Sequence, residues 1–240
     1  MCGEILADHS KLKAGRQSSR VERSAWTALS FVVLTASVAT AQTPAGSASA
    51  DGTVEGREGS VRMYTLLEKT IFKVDVLTVE IWLGEEDARL LEGIIAGGRY
   101  SSDVADAVAE VAIYSEDALV RLEFVRDASF EQFLAGVDEN LRLVPSAGII
   151  PDADYQGISE NLPRWFAFLA ERGIHKGDKI TYRIRRDTLH TRYLAADGQV
   201  LLDQTDVGSS APLSVLGSYF VEKSEFRKGL VSSLFASSPR

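Results

Sequence analysis

The segment FEQFLAGVDENLRLV (130–144) sets an amide among apolar residues. Phe130, Phe133, Leu134, Val137 and Leu141 recur at helical spacing and define one buried stripe. Asn140 lies seven residues after Phe133, two turns on, and falls on the same stripe. A buried amide without partners costs roughly 1–3 kcal/mol. Asn140 therefore either closes a hydrogen bond inside the fold or faces a polar group in a pocket. In a pocket, a neutral amide can orient a ligand but supplies little charge.

Other residue types capable of chemistry are sparse. Beyond the first 41 residues there are two histidines, His175 in an expected turn and His190 on an expected strand between Leu189 and Thr191. Neither has a second ligand at metal spacing, so both read as surface or structural. The acidic runs EED (85–87) and DAD (152–154) read as solvated helix starts. Arg126 and Asp127 read as a solvated pair closing a strand-to-helix turn. The chain has one cysteine, Cys2, so no disulfide partner exists within it. No glycine-rich phosphate loop, nucleophile elbow or metalloprotease helix motif occurs. No metal or other cofactor is expected.

These residues must be positioned by what the rest of the chain builds. With 240 residues, 45% of them hydrophobic and 25% charged, the composition is that of a globular protein. Residues 1–41 stand apart. Arg16, Arg20 and Arg23 lead into AWTALSFVVLTASVATA, an uncharged run ending in small residues. This is the pattern of a secretory signal peptide, with cleavage expected after Ala41 and a periplasmic or secreted destination. Cleavage would leave no stable membrane span. It would also remove Cys2, and with it thiol catalysis and zinc–thiolate sites. Loss of five basic and three acidic residues takes the net charge from −8 to −10. Such a charge argues against nucleic-acid or anionic-membrane partners. Residues 42–60 are rich in Gly, Ala, Ser and Thr and read as a flexible linker. Residues 61–240 form the expected domain.

Within it, 61–83 reads as strands. Phe72, Val74 and Val76 alternate on one face, while Leu77, Val79, Ile81 and Leu83 fall on the other, a phase change that points to a bulge or sharp coil. Helices are expected over 85–98, 101–112, 129–143 and 159–172. The third is capped by Ser129 or Asp127, and the fourth stops at Gly173. Strands are expected over 118–127 and 177–184, with a hairpin over 188–204 hinged at Asp197-Gly198. Helices follow at 211–219 and 224–235. Strands and helices are segregated, so the expected class is α+β: a large antiparallel sheet with helices on one face.

The order of these segments resembles the chalcone isomerase-like fold, in particular its bacterial exported branch. The stretches that carry the resemblance are KTIFKVDVLTVEIWL (69–83), VRLEFVRDASFEQFLAGVDENL (120–141), GDKITYRI (177–184) and LGSYFVEKSEFRKGLVSSLF (216–235). The plant enzymes of that family close a chalcone into a flavanone, in a cleft that uses an arginine, threonines and a helical Tyr–Asn pair seven residues apart. The resemblance implies that the tyrosine position falls on Phe133 and the asparagine position on Asn140. The arginine position falls near Leu67 and Glu68, and Arg62 could serve only with a shifted register. Thr78 and Thr205 stand where the family threonines would.

With the tyrosine replaced and no arginine in register, the stabilisation of a developing enolate is largely removed. A related branch binds fatty acids through an Arg–Tyr pair, which is also missing at those positions. The expected function is non-catalytic binding of a small apolar or amphipathic ligand, fatty-acid-like or aromatic. Pocket residues would be drawn from Asn140, Phe133, Thr78 and Thr205. An isomerase or lyase using the same cleft, and an interaction protein without a ligand, are the alternatives.

Overall fold

The computed structural model describes residues 60–69 and 74–236. The leader, its cleavage site, Cys2, Phe72 and all but the last residue of the linker lie outside the described residues. Two strands open the fold, β1 (Val61–Lys69) and β2 (Val74–Leu83), followed by helices α1 (Glu85–Ile95) and α2 (Ser102–Ile113). Strand β3 (Asp117–Phe124) leads into α3 (Phe130–Leu141), α4 (Leu143–Ser146), α5 (Asp152–Trp165) and α6 (Leu169–Arg172). Strands β4 (Lys179–Arg185), β5 (Thr188–Leu194) and β6 (Val200–Val207) follow, then α7 (Ser210–Phe220) and α8 (Arg227–Ser233). The six strands form one antiparallel sheet in chain order. The protein is α+β. No helix among the described residues is long and apolar enough to cross a membrane.

Alternation along the strands gives the sheet two unlike faces. Met63, Val79, Ile81, Val120, Leu122, Ile180 and Ile184 point to one side and join the buried faces of the helices in the main core. The other side carries Arg62, Glu80, Arg121 and the small cluster of Trp82 and Leu119. There Arg62 pairs with Glu80, and the Arg62 and Arg121 guanidiniums lie 5.7 and 5.1 Å from the Trp82 ring centre.

The phase change in the first strands is a bulge. Leu67 faces Leu77 and Glu68 faces Asp75, so the pairing skips Val76. Ser129, rather than Asp127, caps α3. Its hydroxyl accepts the Gln132 N–H while the Gln132 side chain accepts the Ser129 N–H, a complete capping box. The single helix expected over 159–172 is instead two. It begins at Asp152, where Pro151 and the acidic Asp152 and Asp154 favour a first turn. Pro163, which has no N–H to continue the ladder, precedes its end at Trp165, and α6 restarts at Leu169.

Two helix glycines permit close approach. A Cβ on Gly217 of α7 would stand 2.8 Å from Val144 Cγ1, and one on Gly229 of α8 would stand 2.8 Å from Thr65 Cβ on β1.

Candidate functional site

Between the core face of the sheet and helices α3, α5 and α7 lies a cavity of about 520 Å³. This is within the range of about 300–1,000 Å³ usual for small-molecule sites. Leu77, Leu122 and Phe124 line it from β2 and β3, Phe133 and Val137 from α3, and Leu162 and Trp165 from α5. Val76 and Leu77, consecutive in sequence, both line it. A regular strand would send them to opposite faces, so the bulge is what makes this part of the wall.

Asn140 is buried at 6% exposure and lines the cavity. Its Nδ2 donates to the Gly136 carbonyl, one turn back in its own helix, at 3.2 Å. Phe133 also lines the cavity, wedged edge-on between Phe124 (ring centres 6.2 Å apart) and Phe166 (5.0 Å). It thus serves as core and wall together. Val137 on the same stripe is only half-buried, because that stretch of α3 faces open space rather than packed side chains.

Thr78 and Thr205 are not brought to this cavity. Thr78 stands opposite Glu123, and Thr205 opposite His190, on the sheet face away from the helices. Alternation back from Ile81 and Val79 sets Leu77 rather than Thr78 inward, and on β6 the inward positions are Leu202, Gln204 and Asp206. Arg62 lies on that same outer face with Glu80 and Trp82, while Leu67, at the expected arginine place, lines the cavity as an apolar residue. His190 pairs with Asp203 (2.6 Å), and His175 is 3.9 Å from Asp127. No cluster of His, Cys, Asp and Glu suited to a metal occurs among the described residues.

The polar residues that do meet in the cavity come from elsewhere. Tyr182, Thr191 and Gln204 are cross-strand neighbours in one row over β4, β5 and β6, and Tyr219 and Ser214 face them from α7. Burial pushes both the Tyr182 and Tyr219 phenols above their usual range, Tyr219 further through its nearness to Tyr182. Both therefore remain donors at neutral pH. Gln204 Nε2 donates to both carboxylate oxygens of Asp206, at 2.9 and 3.1 Å.

Arg126 also lines the cavity, which corrects its reading as a solvated turn residue. Its Nε is shielded from solvent and has no hydrogen-bond partner among the described residues. The signal was present in the sequence: Ala118, Val120, Leu122 and Phe124 point inward, and Arg126 continues their period of two. Asp127, one residue on, is exposed and accepts the Lys176 N–H at 2.7 Å.

The end of β3 that carries Arg126 is held by the turn before β4. Phe124 N–H donates to the Asp178 carbonyl (3.0 Å), and Gly177 N–H to the Phe124 carbonyl (2.7 Å). The Asp178 side chain is fully buried. It accepts both Arg172 guanidinium nitrogens (2.5 and 2.8 Å), the Tyr193 hydroxyl (2.8 Å) and the backbone N–H groups of His175 and Ala196 (2.9 Å each). Burial alone would raise the Asp178 carboxyl. Arg172 and the other donors outweigh it and hold the group at about 2.

The cavity offers apolar surface, a cation and several neutral donors. No histidine or cysteine lines it among the described residues, and of its two carboxylates Asp206 is engaged by Gln204. This arrangement can hold a molecule and hydrogen-bond its oxygens; the carboxylates on its lining are Glu139 and Asp206. No protein-family model and no curated protein matches the chain.

Proposed function

We propose that the chain is an exported chalcone isomerase-like protein that binds a small apolar or amphipathic ligand without transforming it. The observation that carries this reading is the cavity of about 520 Å³, apolar in most of its lining, furnished with neutral donors and lined by no histidine or cysteine among the described residues. The order of segments supports the family likeness, and the Arg-led uncharged run ending at Ala41 supports export to the periplasm. An isomerase or lyase is the second reading, favoured by Asn140, Tyr182 and Tyr219 lining one space, since such donors can stabilise an enolate. An interaction protein without a ligand would call for a filled cleft, and the open volume argues against it.

Native mass spectrometry of the protein purified from the periplasm is the direct test. A mass increment of a few hundred daltons that disappears on denaturation is expected. Protein recovered only at its bare mass, both from cells and after incubation with long-chain and aromatic compounds, would remove the ligand-binding reading.

A further inference from the structure

We propose that Tyr182, Thr191 and Tyr219 form a subsite on the sheet floor of the cavity for the uncharged oxygen of an aliphatic alcohol or ester. The proposal rests on the cavity being a ligand site. Thr191 and Tyr219 are buried, at 7% and 6% exposure, and line the cavity together with Tyr182. None of the three hydroxyls hydrogen-bonds another described residue. Two other tyrosines show the contrast: Tyr193 donates to Asp178 at 2.8 Å, and Tyr155 to Asp138 at 2.9 Å. A buried hydroxyl without a partner is costly, so most find one. Three that line one cavity are matched by a ligand oxygen that accepts from them.

The sheet brings the three together. Tyr182 and Thr191 stand directly opposite each other on β4 and β5, which sets their Cβ atoms about 4.5–5.5 Å apart. Tyr219 comes from α7 near enough for Tyr182 to raise its phenol further, and burial keeps both phenols protonated. Charge then decides the ligand class. Arg126 is the one cation on the lining among the described residues, and it lies far off. Tyr182 faces Val120, six residues back along β3 from Arg126, or about 20 Å at the usual rise. Asp206 is close instead, two residues along β6 from Gln204, which faces Thr191. A carboxylate there repels an anionic head and spares an uncharged one. Leu122, Leu189 and Leu202 flank the row on β3, β5 and β6 and offer aliphatic surface to a chain.

Calorimetric titration of the purified, exported protein with decanol, methyl decanoate, chlorodecane and decanoate tests this. Decanol and the ester should each bind about 2–10-fold more tightly than chlorodecane, the worth of one neutral hydrogen bond. Both should also bind more tightly than decanoate, and Asp206→Asn should narrow that second gap. Tyr219→Phe and Thr191→Val should shrink the advantage over chlorodecane. Neither should lower the melting temperature of the ligand-free protein, because the hydroxyls bond nothing within the fold. A lowered melting temperature with the advantage intact would show the hydroxyls to be structural and overturn the subsite. Equal affinities for decanol, ester and chlorodecane, or tighter binding of decanoate than of decanol, would overturn it while leaving the cavity a ligand site. Failure of all four compounds to bind would instead remove the ligand site, and this proposal with it.

Discussion

Asn140 and Asp178 are both buried polar residues, yet their hydrogen bonds differ in kind. The Asn140 amide uses a carbonyl of its own helix, Gly136, a local contact that fixes no second element. Asp178 joins α6, the turn before β4, strand β5 and the segment after it through one carboxylate. Its folded value of about 2 lies below the usual 3.8. A depressed carboxyl stabilises the fold fully above its unfolded value, and loses that contribution as pH falls through the folded one. Roughly 2–3 kcal/mol should therefore disappear between about pH 4 and pH 2. Asp178→Asn should cost about 3 kcal/mol or more at neutral pH, because Arg172 loses its counter-charge. In urea denaturation the gap between the two proteins should shrink as pH falls from 4 to 2; a gap constant to pH 2 would mean that ionisation is not its source. The Gly-Asp turn was legible in the sequence. The carboxylate's role was not, since its partners lie in separate segments. Arg126 was legible in principle, but its charge at a strand end reads equally well as a solvated turn.

At the scale of elements, local chemistry wrote most of the fold into the sequence. Ser129 and Gln132 stand three apart and cap α3; the phase change after Val76 is the bulge; Asp197-Gly198 lies between β5 and β6, with Gly198 at φ +89°. Periodicity failed in the stretch 152–172, where a proline lies within apolar spacing that could belong to one helix or two. The helix glycines show the same division between what is local and what is not. Gly157 on α5 has nothing within 4 Å of a would-be Cβ, whereas Gly229 on α8 meets Thr65. Gly157→Ala should raise stability by about 0.5–1 kcal/mol through reduced freedom of the unfolded chain. Gly229→Ala should lower it by about 1–3 kcal/mol through overpacking of α8 on β1. Chemical denaturation reads both. Equal effects of the two would show that α8 can shift off the sheet at little cost, and that its glycine is not a packing requirement.

For the whole molecule, we predict from this placement that chalcones are not turned over efficiently. The helix position that would supply a hydroxyl is Phe133, packed between two other rings. Arg62 and both candidate threonines occupy the far face of the sheet, so no shift of a side chain returns them to the cavity. Each missing donor to a developing oxyanion typically costs about 10²–10³ in rate, and the losses need not add. Tyr182 and Tyr219 can donate, but burial holds both in the protonated form, so neither can serve as a base. Arg126 is a cation on the cavity wall, yet it comes from the end of β3 and not from the strand where the resemblance would set an arginine. Chalcone absorbance followed with the purified protein should decay no faster than spontaneous ring closure. Saturable turnover well above that background would refute the non-catalytic reading. If such turnover vanished in Asn140→Ala while the melting temperature held, the amide would be acting on the substrate. If no turnover appears and Asn140→Ala changes only ligand occupancy, the amide is a contact of the binding wall, held in place by Gly136.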